Sequence, residues 1–261
     1  MKRPSRETQR LPAWVWHLLS LCVFLALWFV CADVFKLYPP YQMPPLLGNG
    51  IVREWIDGPG FYQAALQSLR RIAIGYTAAV ALGVVLGIVL SLSSVIRNIV
   101  GGWLTLIQSI PSIAFVPLAL IWFGLNERAV LFVVILEGTI PIALTISSSI
   151  ANVPPSLRIA GRTLGAKNLS LYTHVLLPAS LPNLTAALRT AWAFSWRALI
   201  GAELLTPNMG LGQLLETGRN VSNTALVLAT LFAVGGFGLC MDLVLRRWER
   251  NIRNQYGLEE D

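Results

Sequence analysis

Six long apolar stretches dominate this sequence and leave room for little else. Each contains about 20 mostly apolar residues, the length an α-helix needs to cross the hydrocarbon core of a bilayer. Only 13% of the residues are charged, against roughly 25% in soluble domains, so a water-facing surface could not be covered. We therefore predict an all-α, polytopic membrane protein with six transmembrane helices, at Ala13–Phe35, Ile72–Ser93, Trp103–Gly124, Ala129–Ile150, Leu184–Leu205 and Thr224–Leu245.

The net charge of +7 does not indicate nucleic-acid binding, because the positive residues lie in short segments between apolar stretches rather than on a soluble face. The three cysteines, Cys22, Cys31 and Cys240, lie inside apolar stretches. Their odd number and wide separation predict neither a disulfide scaffold nor a metal site. A membrane lipid is the expected neighbour of most of the surface.

The distribution of Lys and Arg predicts the orientation in the membrane. Twelve of the 20 fall on one side if both termini are cytoplasmic, and six fall on the other side. We expect cytoplasmic tails at 1–12 and 246–261 and an outer segment at 36–71. Within that segment, Phe61–Leu69 has helical spacing and is expected to lie on the membrane surface before the chain turns inward.

The inner loop 151–183 has the pattern of two short helices set at an angle. Pro154-Pro155 ends the fourth span and begins a helix, which Gly165 is suited to terminate. Asn168 is placed to cap a second helix, expected to end near Pro178. The alternative is an ordinary loop whose arginines contact anionic lipid.

The spacing in this loop resembles the EAA signature of permease subunits of bacterial ABC importers. Ala160 and Gly165 match, followed after nine residues by Val175, Leu177 and Pro178. Ile159 and Gly161 depart from the pattern, which often has Glu and Ala there. The missing Glu removes an ionic contact but leaves the shape of the loop unchanged.

Other segments extend the resemblance over about residues 68–248. They include Ser68–Arg71, Gly83–Gly87, Ile110–Pro117, and Ala202-Glu203 followed by Gly210–Gly212. They look most like the branch that serves taurine, alkanesulfonates, nitrate and related oxyanions, or thiamine precursors. The resemblance implies a permease in the bacterial inner membrane, with segment 36–71 in the periplasm.

That resemblance also implies the partners. The loop would dock on a separate ABC ATPase, which uses ATP and Mg²⁺, while a second permease copy and a solute-binding protein complete the importer. No phosphate-binding Gly-x4-Gly-Lys-Ser/Thr loop is present in the sequence, so a non-catalytic transport subunit without a cofactor of its own is expected. The solute would be a small oxyanion such as a sulfonate, taurine, nitrate or bicarbonate. The predicted coupling residues are Leu157, Ile159, Ala160, Gly161, Leu164, Gly165, Val175, Leu177 and Pro178.

A translocation pathway is predicted from polar and charged residues inside the spans, where an unpaired charge costs at least a few kcal/mol. Arg197 either binds an anionic solute or pairs with Glu137 as a structural tie. Glu203 either belongs to the pathway or is solvated at the outer end of its span. The prolines either line a cavity or are packing kinks. The predicted pathway residues are Ser109, Pro111, Ser112, Glu137, Thr139, Arg197 and Glu203.

Two other classes of protein are weighed against a permease subunit. A self-sufficient secondary transporter would show inverted repeats and more ionisable groups inside the membrane. A membrane-embedded enzyme would show a motif such as His-Glu-x-x-His or clustered carboxylates. The sequence shows none of these features, which leaves both classes as alternatives without positive support.

Overall fold

The computed structural model describes residues 13–35, 50–56, 58, 60–167 and 169–257. The predicted N-terminal tail, much of segment 36–71, the proposed cap Asn168 and the last four residues lie outside them. No β-strand occurs in this described part, which confirms the all-α prediction. Its α-helices are α1 (Ala13–Phe29), α2 (Gly50–Ile56), α3 (Phe61–Ser91), α4 (Ser94–Gln108), α5 (Phe115–Phe123), α6 (Glu127–Ala151), α7 (Pro155–Thr163), α8 (Leu169–Leu171), α9 (Leu177–Leu204), α10 (Leu211–Asn220) and α11 (Thr224–Gln255).

Helix α6 is the centre of the bundle and packs along both α3 and α9. Small residues allow the close approach to α3. A Cβ atom at Gly83 would lie 2.7 Å from the Cβ of Ile142, and one at Gly87 would lie 2.7 Å from the Cβ of Ile146. The Gly83-x3-Gly87 pair therefore serves helix packing within the subunit, as membrane helices with small interfacial residues generally do.

Three helices in the described residues, α3, α6 and α11, are long and apolar enough to cross a membrane. A fourth span arises if α4 and α5 count as one, although the two are bent by 90° at the break between them. Helix α9 is 28 residues long but carries Arg189, Arg197 and Glu203. The multi-pass architecture agrees with the sequence, whereas the count of six spans stays a prediction.

Helix α3 corrects the expectation of a turn after Leu69. It runs without interruption from Phe61 to Ser91, because no proline or glycine occurs before Gly75 to break it. Ser68 and Arg71 lie on its buried side. The segment expected to lie on the membrane surface is thus continuous with the helix that contains the second predicted span.

The glycine contacts generate a stability prediction. Gly87→Leu forces the side chain against Ile146 and should lower the free energy of unfolding by about 1–3 kcal/mol, the usual cost of overpacking. Gly235→Leu is the matched control, because it is also helical and no atom lies within 4 Å of its Cβ position. Unfolding of both purified variants in detergent would be compared with that of the parent. Equal losses in the two variants would contradict the packing assignment.

Candidate coupling loop and pathway residues

The predicted first loop helix is present as α7. It begins at Pro155, where the missing N–H removes no helical hydrogen bond, and it ends at Thr163. Gly165 follows in the left-handed conformation, with φ +91°, which glycine adopts at little cost. The predicted start and stop signals are therefore confirmed for this helix.

One face of α7 packs against the chain that follows it. A Cβ atom at Gly161 would lie 2.9 Å from Cγ2 of Val175 and 3.1 Å from Cδ1 of Leu171. Gly161 therefore allows the two parts of the loop to touch. This loop, residues 155–176, is called the knob below.

Apolar side chains are exposed on α7 and directly after its end. The exposed fraction is 45% for Leu157, 65% for Ile159 and 88% for Leu164, and Ala160 is exposed beside them. Several large apolar side chains left exposed on one short segment are typical of a protein–protein contact. Of the predicted coupling residues, five are exposed, Gly161 is buried against Val175, and two lie in the first turn of α9; the exposed ones are Leu157, Ile159, Ala160, Leu164 and Gly165, and those in α9 are Leu177 and Pro178.

Arg158 joins the knob to the end of α6, a role the sequence did not indicate. Its Nη2 donates hydrogen bonds to the carbonyl oxygens of Ile150 and Ala151, the latter at 3.1 Å. The last carbonyls of a helix have no intrahelical donor, so this guanidinium satisfies them and complements the helix dipole. Arg158 is therefore held by the protein rather than by a lipid headgroup.

The second half of the knob corrects the expectation of a helix ending near Pro178. One turn, α8, leads into a π-helical turn from Tyr172 to Leu176 and then directly into α9. The Leu177 N–H donates to the Tyr172 carbonyl, five residues back. Pro178 then falls in the first turn of α9, where its missing N–H is tolerated. The second half of the knob, from Leu169, and α9 are one continuous helical path.

The break between α4 and α5 contains three predicted pathway residues. Pro111 has φ −56° and ψ 134°, which ends the helical path, and Ser112 begins a single 3-10 turn. Ser109 and Pro111 are exposed, and the Ser109 hydroxyl donates to the Thr105 carbonyl at 2.9 Å. Pro111 therefore marks the point where the helical path is interrupted, whereas α6 continues through Pro141 without interruption.

Glu137 and Arg197 do not form the ion pair that the sequence left open. Arg197 is exposed, donates from Nε to the Ala193 carbonyl at 3.0 Å and lies 4.8 Å from the ring centroid of Phe194. Glu137 is 7% exposed and takes part in no ion pair of the described residues. Arg197 thus remains available to an anion from outside the subunit.

Thr139, another predicted pathway residue, lies in the contact between α6 and α3. Its hydroxyl donates to the Ala79 carbonyl of α3 at 3.4 Å. On the preceding residue, a Cβ atom at Gly138 would lie 2.8 Å from the Cβ of Ala79. Contact between α6 and α3 is therefore the observed role of this segment.

Glu203 is fully buried, which excludes the interpretation that it is solvated at the end of its span. Its oxygens accept hydrogen bonds from the Ser68 hydroxyl at 2.9 and 2.7 Å, from Arg71 Nη1 at 2.7 Å and from the Gly212 N–H at 3.0 Å. Ser68 in turn accepts from the Leu211 N–H at 2.9 Å. We call Glu203, Ser68 and Arg71 the buried lock, because they join α3, α9 and α10.

Arg71 extends the lock to two further places. Its Nη1 also donates to the Met209 carbonyl at 2.8 Å, and its Nε donates to Glu127 at the start of α6 at 3.2 Å. Gly210 and Gly212 permit this closeness, since a Cβ at Gly212 would lie 2.6 Å from the Cβ of Glu203. The separate motifs Ser68–Arg71, Ala202-Glu203 and Gly210–Gly212 therefore meet at one site.

The described residues contain no group of three or more metal-ligating side chains. The lock itself consists of one carboxylate, one guanidinium and one hydroxyl with their hydrogen bonds satisfied. Such an arrangement holds α3, α9 and α10 together. We assign the lock to structure rather than to the pathway.

The lock generates a second prediction. Glu203→Leu removes the buried partner of Arg71, leaves the partly exposed Glu127 as its remaining ionic partner, and should lower the free energy of unfolding by about 3–5 kcal/mol. Glu216→Leu, which breaks the exposed pair with Arg219, should cost at most about 1 kcal/mol. Both are measured by unfolding in detergent. The double variant Glu203→Leu with Arg71→Met should recover stability relative to Glu203→Leu, and a loss as large as the sum of both single losses would contradict the pairing.

Comparison with known proteins agrees with this architecture. Residues 79–254 match the model of a family described as the inner membrane component of binding-protein-dependent transport systems. This match covers the helices from the middle of α3 to the end of α11, including the knob and Glu203 of the lock, whereas Ser68 and Arg71 lie before it. A transport component of this kind is not an enzyme, as the sequence predicted.

Curated relatives span nearly the whole chain. An ABC transporter permease protein of Methanocaldococcus jannaschii is 31% identical over 89% of this chain and 84% of its own length. The taurine transport system permease of Escherichia coli is 29% identical, with 91% and 88% covered. The nitrate import permease of Leptolyngbya laminosa is 27% identical, with 87% and 83% covered.

Solved structures show the same fold at lower identity. An inward-facing MetNI methionine ABC transporter chain has a TM-score of 0.65 at 18% identity and covers 74% of this chain and 98% of its own. A chain of an amino acid ABC transporter has a TM-score of 0.61 at 17% identity, with 78% and 98% covered. From the family match and the relatives together, this multi-pass inner membrane protein belongs to the binding-protein-dependent transport family as an ABC importer permease.

Proposed function

We propose that this permease forms the translocation pathway for a small oxyanion and is driven by a separate ATPase through the knob. The observation that carries the proposal is the set of exposed apolar side chains on and directly after α7, on a support fixed to two bundle helices. Arg158 ties this support to α6, and the π turn continues it into α9. A push on α7 would therefore act on both helices.

Those two helices also carry the charged candidates of the pathway. Glu137 lies on α6 and Arg197 lies on α9. A tilt of either helix would change the distance between the two groups and so the affinity of the site for an anion. Chemical selectivity would come from the guanidinium, which binds two oxygens of a planar or tetrahedral oxyanion.

The partners follow from this arrangement. ABC ATPase subunits would bind the knob and use ATP and Mg²⁺, a second permease copy would complete the pathway, and a solute-binding protein would dock at the opposite end. This requires a cytoplasmic knob with both termini cytoplasmic, the orientation favoured by the Lys and Arg distribution. The relatives named for taurine, nitrate and aliphatic sulfonates support an oxyanion as the solute.

The docking proposal is tested at the most exposed side chain of the knob. Leu164→Glu places a charge in the apolar contact and should reduce ATP-driven taurine uptake in proteoliposomes containing the whole importer by at least about tenfold. Leu164 is 88% exposed, so folding should be unaffected. Leu164→Met is the control, since it keeps an apolar side chain of similar volume at the same exposed position. Full uptake by Leu164→Glu, or uphill uptake without an ATPase, would overturn the proposal.

The solute proposal is tested at Arg197. Arg197→Gln should lower uptake of taurine or nitrate by about tenfold or more, as expected on losing a charge-assisted hydrogen bond, with normal folded yield. Arg189→Gln on the same helix is the contrasting variant, because Arg189 pairs with Asp242 at 2.6 Å and its loss should reduce folded yield. Yield is read by size-exclusion chromatography. A reduced yield for Arg197→Gln with unchanged specific uptake would assign Arg197 to structure.

A further inference from the structure

A polar groove lies between α4 and α6, away from both the lock and Arg197. Its volume is about 500 Å³, within the usual range for small-molecule sites. It opens near the end of α6 that leads into the knob, since Ser148 is only three residues before Ala151. None of the pathway residues predicted from the sequence lines it.

One wall of the groove is a single face of α4. Arg97, Gly101 and Thr105 are spaced four residues apart, which places them one above another on a helix. Gly102 beside them leaves open space, because no atom lies within 4 Å of its Cβ position. The facing wall presents hydroxyl groups of α6.

The charge of the groove is not compensated by the protein. Arg97 is the charged residue of the lining, and it takes part in no ion pair of the described residues. No carboxylate lines the groove. A half-buried cation without a carboxylate beside it gains most from an anion that enters the space.

The groove also contains a buried hydroxyl without a partner. Ser147 is 2% exposed, and its Oγ makes no hydrogen bond in the structure. A buried polar group left unsatisfied costs about 1–3 kcal/mol, so such groups are expected to meet a ligand or water. Ser147 and Arg97 line the same space and together offer donors to oxygen atoms.

We propose that this groove binds the oxygen atoms of an anion, with Arg97 and Ser147 as donors. The solute class, a small oxyanion on its way to the knob side, rests on the proposed function. The phosphate of an anionic lipid offers the same oxygen chemistry and is the second source. Whether the anion is a free oxyanion or a lipid phosphate, its binding should depend on Arg97 and Ser147. The experiment distinguishes the two by which of them occupies the groove.

The test uses the full chain with its three cysteines replaced by serine and Asn98→Cys as a reporter, because Asn98 is exposed and lines the groove. The rate of thiol modification by a neutral reagent is measured in nanodiscs of phosphatidylcholine with added taurine, nitrate or sulfate. Nanodiscs containing phosphatidylglycerol are the lipid arm. An anion in the groove should slow the modification.

Protection by a free oxyanion in phosphatidylcholine would assign the groove to solute, and protection by phosphatidylglycerol alone would assign it to lipid phosphate. In either case Arg97→Gln should raise the half-protecting concentration by about tenfold or more, and Ser147→Ala by about threefold to tenfold, for charge-assisted and neutral bonds respectively. Arg97→Lys should retain part of the effect. Arg247→Gln, an exposed arginine of α11, is the matched control and should change nothing.

Absence of protection in both kinds of nanodisc would overturn the inference. So would protection that survives in both Arg97→Gln and Ser147→Ala. ATP-driven uptake by the whole importer is measured in parallel. Uptake without protection would refute anion binding in the groove and leave the proposed function standing. Protection without uptake would refute the proposed function and leave anion binding in the groove standing.

Discussion

Close contact among α3, α6 and α9 is the constraint on which the rest of the structure depends. Lipid is as apolar as a leucine side chain, so membrane helices gain little by hiding apolar faces from it and must gain by packing tightly. Gly83, Gly87 and Gly138 remove the side chains that would keep these helices apart. Because α6 packs against α3 on one side and α9 on the other, both of its ends have defined positions in the bundle. One end meets Arg71 through Glu127, and the other is capped by Arg158.

The buried lock solves a second problem of the same bundle. A carboxylate inside the protein must have its oxygens satisfied, because an uncompensated charge there costs several kcal/mol. Glu203 receives its donors from a side chain of α3, a guanidinium and a backbone N–H of α10. The same bonds fix α10 across the end of the bundle. Specific placement of a surface helix thus follows from satisfying one buried charge.

Local patterns allowed much of this structure to be predicted from the sequence. The helical class, the bounds of α7 and the left-handed Gly165 each depend on a few neighbouring residues. The lock was missed because its members are 135 residues apart, and nothing local distinguishes a buried Glu203 from a solvated one. The expected helix end near Pro178 was wrong for a related reason. A π turn shifts the hydrogen bonds by one residue, and sequence spacing does not reveal that shift.

Helix α9 connects the knob to the lock and decides how motion could pass between them. At 28 residues it is about 42 Å long, with the knob entering at Leu177 and Glu203 held near the other end. If α9 and the α6 packed along it tilt together about this end, a tilt of about 10° would displace the knob end by about 7 Å. Arg197 lies close to the held end and would move far less. A single rigid helix can therefore combine a small displacement at the anion site with a large displacement at the docking surface.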